Sequence, residues 1–393
     1  MKKRLFFTVT NDLVFDQRMI RICTTLAGAG YTVTLVGRSI PGSASLTQQP
    51  FRQRRLRTWF TRGKAFYIEY NLRLFLFLLS RRVDGICAID LDTILPCYAV
   101  SCLRRIPRVY DAHELFCEMQ EVVTRPRIYA IWKAIERRLV PRFPHGYTVN
   151  GLIASEFRRM YGVDYAVIRN MPLLEPSLRE KEDPIRGTPI VGGGLSHPGA
   201  APPSIMPAPG FPPGRFFLYQ GAVNEGRCFE TLIPAMLTVD APLVICGDGN
   251  YMVQTRRLVQ QYGLQDKVIF GGMVRPEELK TITAAAYAGI TLFDRKGISN
   301  YYSLANRFFD YMHAGIPQIA VGYPAYREIN NSCPIAVLID TPGIREISEA
   351  LNSLLSNTQL YQALLANCRQ ARLRYNWQEE ESKLVPLYQR LFN

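Results

Sequence analysis

The stretch NYYSLANRFFDYMHAGIPQIAV, residues 300–321, decides the fold class. Leu304, Phe308, Tyr311 and Met312 recur at i, i+4, i+7 and i+8, the apolar stripe of an α-helix. Ser303 is placed to cap its start, and Gly315 followed by Pro317 ends it. PQIAV then runs on as a short buried strand. A helix that passes straight into an apolar strand is the repeating step of an α/β sheet. Asn306 and Asp310 stand one turn apart on this helix, on a face that is not simply the solvated one.

The same alternation extends in both directions. RLFFTV, YTVTLVG, GICAI, PRVYDA, GYTVN and AVIRN read as strands in the first half, each separated from the next by a segment of helix length. FFLYQG, PLVICG, KVIFGG, AGITLF, PQIAV and IAVLID repeat the pattern in the second. Near-continuous Val/Ile runs between helices indicate parallel strands covered on both faces. Residues 184–214 between the halves contain nine Pro and seven Gly. Gly192, Gly193 and Gly194 are followed by no Lys-Ser/Thr, so they read as linker and not as a phosphate loop. The expected organisation is an α/β fold of two Rossmann-like doubly wound domains, 1–175 and 215–370. A linker, 176–214, joins them, and a C-terminal helix, 371–393, packs back towards the first domain. Two such domains would face each other across a cleft lined by the carboxyl ends of their strands.

A chain of 393 residues exceeds what one core organises, and 48% hydrophobic with 20% charged residues is ordinary globular composition. Asn11 and Asp12 cut the opening apolar run short of a signal peptide, and no run reaches the roughly 18 apolar residues of a membrane span. The nine cysteines are scattered with no C-x-x-C pair, which argues against zinc and disulfide frameworks and for a cytoplasmic protein. No metal site and no acid/base or nucleophile constellation emerges from the spacing.

A dinucleotide site is excluded early, because Thr10-Asn11-Asp12-Leu13 follows the first strand where Gly-x-Gly-x-x-Gly belongs. CGDGNYM, 246–252, has Met252 in place of the third glycine, so Gly247 reads as a tight turn that lets a ligand approach. LYQGAVNEGR (218–227), VICGDGN (244–250), KVIFGGMV (267–274) and NRFFDYMHAGIP (306–317) nevertheless occur in an ordered series. Together they resemble the nucleotide-sugar half of GT-B-fold glycosyltransferases, in particular the retaining family 4. FDQRMIRICTTLAGAGYTVTLVGR, YDAHE (110–114) and VIRNMP (168–173) resemble its acceptor half.

The resemblance implies a nucleotide-diphosphate-sugar donor, a glycan or lipid-linked acceptor, retention of configuration and no metal. The Ser303–Asn306 turn, Leu304 included, would hold the diphosphate with Arg227 and the Gly221 loop, since a helix start offers free N–H groups. Asp310 would take the ribose hydroxyls, and Gly272, Met273 and Val274 the base. His113 would sit beside the reacting centre, so His113 and Asp310 are the expected catalytic residues. Asn11, Asp12, Asp16 and Arg18, after the first strand, would face the acceptor or diphosphate. Two positions depart from the family pattern: Tyr302 stands where a carboxylate is usual and Ala222 where a phosphate-binding arginine is usual. The alternatives are a non-catalytic nucleotide-sugar-binding partner subunit and a sugar-nucleotide 2-epimerase of the same fold.

Of the net charge of +14, residues 1–175 carry +13. RQRRLRTWFTRGK, 52–64, joins six basic side chains to Trp59 and Phe60, and an apolar segment with basic flanks follows. This is the composition of a protein that lies on an anionic membrane, here the inner face of a plasma membrane, during surface-polysaccharide synthesis. Nucleic acid is not expected, because no reader motif accompanies the charge.

Overall fold

The computed structural model describes residues 2–175 and 212–392. The linker read from the sequence therefore lies outside the described residues, apart from Pro212–Gly214. The chain forms two compact units. The first takes Met1–Asn170, Lys296–Ser303 and Trp377–Asn393, and the second takes the described residues of Met171–Arg295 with Leu304–Asn376.

The first unit opens with β1 (Arg4–Thr8), α1 (Gln17–Gly28), β2 (Thr32–Arg38), β3 (Arg52–Leu56) and α2 (Gly63–Leu79). It continues with β4 (Gly85–Ile89), α3 (Ile94–Arg104), β5 (Arg108–Ala112), α4 (Gln120–Val123) and α5 (Pro126–Leu139). β6 (His145–Thr148), α6 (Gly151–Tyr161) and β7 (Ala166–Val167) complete its sheet. The seven strands are ordered β3-β2-β1-β4-β5-β6-β7 and pair in parallel. Order therefore reverses between β1 and β4, which leaves a crevice at their carboxyl ends.

The second unit runs β8 (Phe217–Gln220), α7 (Phe229–Ala235), β9 (Leu243–Cys246), α8 (Met252–Gln261), β10 (Val268–Gly272), α9 (Pro276–Ala285) and β11 (Ala288–Thr291). After α10 (Ile298–Tyr302), which belongs to the first unit, come α11 (Asn306–Ala314), β12 (Gln318–Val321), α12 (Pro324–Ser332) and β13 (Ala336–Ile339). α13 (Ile344–Ser356) and α14 (Thr358–Arg374) follow, and α15 (Trp377–Phe392) returns to the first unit. The parallel sheet has the order β10-β9-β8-β11-β12-β13, with its reversal between β8 and β11. All four residues of β8, β9, β11 and β12 are buried, as strands covered by helices on both faces must be.

Three features differ from the sequence reading. Arg52–Leu56, read as part of a charged surface segment, is an edge strand paired with β2. Its arginines keep that edge from recruiting another chain. Ser303 does not cap α11. It ends α10, its N–H and hydroxyl both donating to Asn300 O, and the buried Leu304 separates the two helices. The helix start is Ala305, whose N–H donates to the Tyr326 hydroxyl at 3.0 Å. Finally, Lys296–Ser303, which the sequence assigns to the second domain, packs with the first unit. Asn150 Nδ2 donates to Tyr302 O at 2.7 Å, and the Tyr302 side chain lies against the Phe116 core.

One face of the first sheet is closed by α15. Trp377, Leu384, Leu387, Tyr388 and Phe392 pack in one cluster with Phe7, Met19, Ile22, Cys23 and Leu26. Trp377 Nε1 donates to the Thr25 hydroxyl, which donates to Glu381, and Tyr388 and Tyr147 join through their hydroxyls. Gly85 has no room for a side chain, because a Cβ would lie 2.3 Å from the Phe392 ring.

Candidate functional site

In the second unit, three adjacent parallel strands each end in glycine. Gly221, Gly247 and Gly272 follow or close β8, β9 and β10, all with positive φ. Gly221 N donates to Cys246 O at 2.9 Å and Gly247 N to Gly272 O at 2.7 Å, so the backbone keeps pairing through the turns. At Gly247, φ is +151° and a Cβ would lie 1.9 Å from Gly221 O, so only glycine permits this approach. The loop beyond β8 is latched to the one beyond β9. Asn224 Oδ1 accepts from Asn250 N, and Asn250 Oδ1 accepts from Glu225 N, both at 3.1 Å.

α11 is anchored to the end of β8 by three residues of one face. Arg307 Nη1 donates to Gln220 O at 2.8 Å, Asp310 Oδ2 accepts from Gln220 Nε2 at 3.0 Å, and the Tyr311 hydroxyl donates to Leu218 O at 2.9 Å. Gln220 is held in turn by Thr283, whose hydroxyl donates to its Oε1 at 2.7 Å. Asp310 is thus fixed at the carboxyl edge of the sheet beside Gly221. Asn306 is exposed at the start of the same helix, Leu304 is buried before it, and Ser303 falls in the first unit. Arg227 precedes α7, its guanidinium 4.3 Å from the Phe293 ring centre just past β11. Met273 is exposed after Gly272, while Val274 packs into the core.

In the first unit, His113 follows β5. Its Nδ1 lies 3.4 Å from Asp90 Oδ2, its Nε2 lies 3.2 Å from Asp111 Oδ2, and its backbone N–H donates to Asp90 Oδ1 at 2.8 Å. Burial alone would lower the imidazole pKa, but the facing Asp90 and Asp111 carboxylates outweigh it and raise it to about 9. Asp90 is pushed up by burial to about 7, against the pull of His113. Asp92, hydrogen-bonded by the Thr10 hydroxyl, is pushed to about 7 by burial and by the charge of Asp90. Burial would also raise Asp111, yet Arg18 and His113 hold it below the usual carboxylate range. Asp90 adopts φ 52°, an uncommon conformation for a side-chain-bearing residue, and its N–H donates to Asp111 O.

The residues after β1 divide in position. Arg18 is buried, with Nη2 2.7 Å from Asp111 Oδ1, Nε 3.2 Å from Asp111 Oδ2 and Nη1 donating to Ile168 O. An acceptor contact does not suit so enclosed a guanidinium; it positions Asp111 and, through it, His113. Asp16 caps α1 through Met19 N. Asp12 is paired with Arg55 Nη2 at 2.5 Å, and Asn11 is exposed with its amide 3.4 Å from Asp16.

Four participants were not singled out from the sequence: Asp90, Asp92, Gln220 and Arg307. Asp90 and Asp92 follow GICAI as Asp111 and His113 follow their strand, and that parallel placement was the available signal. Among the described residues, no three or more His, Cys, Asp or Glu side chains are grouped to hold a metal ion, and no helix is long and apolar enough to cross a membrane.

Known proteins match both units. Residues 212–371 fit the family Glycosyl transferases group 1, and residues 17–171 fit Glycosyltransferase Family 4. No curated protein matches the chain. Among solved structures, sucrose-phosphate synthase from Thermosynechococcus elongatus superposes with a TM-score of 0.74 at 16% identity, covering 100% of this chain and 99% of that one. HepE from Anabaena, solved with UDP and glucose, gives 0.71 at 13% identity, covering 99% and 100%. WaaG, a glycosyltransferase of lipopolysaccharide biosynthesis, gives 0.70 at 14%, covering 98% and 99%. At such identities the structures speak for the fold, and the family matches speak for the chemistry. The chain belongs to the GT-B-fold glycosyltransferases of the family 4 type.

Proposed function

We propose that the protein transfers a sugar from a nucleoside-diphosphate donor to a glycan or lipid-linked acceptor, with retention and without a metal ion, in surface-polysaccharide synthesis. The observation that carries the donor assignment is the anchoring of α11 at the β8–β11 reversal. It presents Asp310, Arg227 and the glycine turns at the carboxyl edge of one sheet. Asp310 takes the ribose hydroxyls, the helix start and Arg227 take the diphosphate, and the main chain at Gly272–Val274 takes the base. The HepE structure with UDP makes uridine the first base to test.

The facing Asp90 and Asp111 carboxylates favour the protonated imidazole and engage both ring nitrogens, so His113 is assigned a share of the positive charge beside the reacting centre and not the part of a base. Catalysis by this chain then rests on positioning and on charge stabilisation of the departing diphosphate. Asn11 and Asp12 are assigned to the acceptor.

A membrane-bound acceptor is supported by the outer surface of the first unit. Phe66, Tyr70, Leu74 and Leu78 of α2 are buried, while Ile68, Leu72 and Leu76 form a second, exposed apolar stripe. Glu69 accepts from the N–H groups of Trp59 and Phe60 at 2.9 Å, fixing both exposed aromatics beside that stripe amid the basic 52–64 segment. An apolar stripe with aromatics and basic residues fits an anionic lipid surface.

The test is calorimetric titration with UDP, GDP, ADP and dTDP, repeated on Asp310→Ala. One nucleotide should bind selectively, and the variant should lose about 1.5–3 kcal/mol, as for a hydrogen bond to a charged group. Absence of binding by all four, or unchanged binding by the variant, overturns the donor assignment. Turnover without acceptor would point to an epimerase.

A further inference from the structure

Arg307 is the least explained charge in the second unit. It is buried, 7% exposed, and stacked on aromatic rings, 4.4 Å from the centre of Tyr219 and 5.1 Å from that of Phe293. Its Nη1 donates to Gln220 O, while Nε is enclosed without a hydrogen-bond partner. Among the described residues it forms no ion pair with a carboxylate; tyrosines 219, 311 and 326, neutral at pH 7, surround it, and Tyr219 is hydrogen-bonded to its side chain. A buried cation without a counter-ion is costly. Its place adds to the cost, because it lies in the first turn of α11, where the helix dipole disfavours positive charge.

Both penalties turn into attraction if an anion occupies the adjoining space, and the surroundings are built for one. Arg227 stacks on the same Phe293 ring at 4.3 Å, so two guanidiniums meet at one residue. Gly221 brings bare backbone beside them; a Cβ there would lie 3.3 Å from Arg307 Nη1. Gly221 and Phe293 lie just past β8 and β11, the two strands between which the sheet order reverses. Ala222, the next residue, contributes no charge.

We propose that Arg307 and Arg227 form a two-cation seat for the donor diphosphate, with Arg307 supplying from α11 the charge that Ala222 does not supply from the β8 loop. The inference rests on the nucleoside-diphosphate reading above and assigns its diphosphate a specific residue.

The experiment measures dissociation constants for inorganic pyrophosphate, for UDP, GDP, ADP and dTDP, and for the four parent nucleosides. The proteins are wild type, Arg307→Met, Arg307→Lys and Arg307→Met/Ala222→Arg. Arg307→Met should weaken pyrophosphate and the bound nucleoside diphosphate by roughly 10–100-fold, the range of a charge-assisted hydrogen bond. Binding of the matching nucleoside should stay within about twofold. Lysine, which lacks the planar fork, should recover part of the loss, and Ala222→Arg should recover more. Unchanged diphosphate binding by Arg307→Met overturns the proposal, as does an equal loss for nucleoside and diphosphate, which marks a purely structural arginine. If Asp310→Ala abolishes binding while Arg307→Met does not, the donor reading stands and this inference falls. If no nucleotide binds the wild type, both fall.

Discussion

Asp111→Asn removes one negative charge from the interior of the first unit, and the structure sets the size of the response. Asp111 is fully buried and receives Arg18 through Nη2 at 2.7 Å and Nε at 3.2 Å, with His113 Nε2 also 3.2 Å away. The asparagine keeps the volume and one acceptor oxygen, but leaves the buried Arg18, 3% exposed, without its carboxylate counter-charge and with an amide N–H2 facing its guanidinium. Removing one partner of a buried ion pair costs about 3–5 kcal/mol. Trp59, Trp132 and Trp377, the chain's three tryptophans, all belong to this unit, so their fluorescence reports on its unfolding alone. With a urea dependence of about 2 kcal/mol per molar, the midpoint should fall by roughly 1.5–2.5 M. Arg18→Met/Asp111→Leu, which removes both charges of the Arg18–Asp111 pair and leaves His113 facing Asp90, should fall by less than the single variant. A shift below about 0.5 M for Asp111→Asn, or a double variant worse than the single, would refute a desolvated pair whose charges depend on each other.

Two further outcomes follow. Because the fold raises the His113 pKa from 6.5 to about 9, its stabilising contribution is complete below about pH 6.5 and is lost as the pH rises through 9. The difference in urea midpoint between wild type and His113→Gln should shrink across that window, and a pH-independent difference would show that the imidazolium is not favoured. Leu72→Glu/Leu76→Glu should weaken binding to phosphatidylglycerol vesicles at least tenfold, estimated from lost apolar burial and added repulsion. Equal binding by the variant, or by zwitterionic vesicles, would remove the membrane from the account.

The strands were legible because both faces of each sheet are covered, so almost every strand is an apolar run between helices. β3 escaped for the opposite reason: RQRRL lies at an edge and carries no apolar pattern. The start of α11 was misplaced because a serine three residues before it has capping chemistry, whereas the buried Leu304 that parts the two helices is visible only in three dimensions. That Asp310 lies on a packed side of its helix was legible from the spacing, but its partner Gln220 was not, since a glutamine closing an apolar strand announces no contact with residue 310. Likewise Arg18 looks like any charged residue at a helix start. Its burial depends on Asp111, 93 positions away.

The return of α15 to the first sheet bears on how the molecule is made. More than two hundred residues separate Asn170 from Trp377. At roughly 5–20 residues per second, a ribosome would deliver α15 about 10–40 s after the strands it must cover. In that interval Phe7, Met19, Ile22 and Leu26 lack the side chains of Trp377, Tyr388 and Phe392, while every segment of the second unit has already emerged. The unit whose strands emerge earlier is therefore completed only after the other has emerged, and its uncovered face is a natural client surface for a chaperone until α15 arrives.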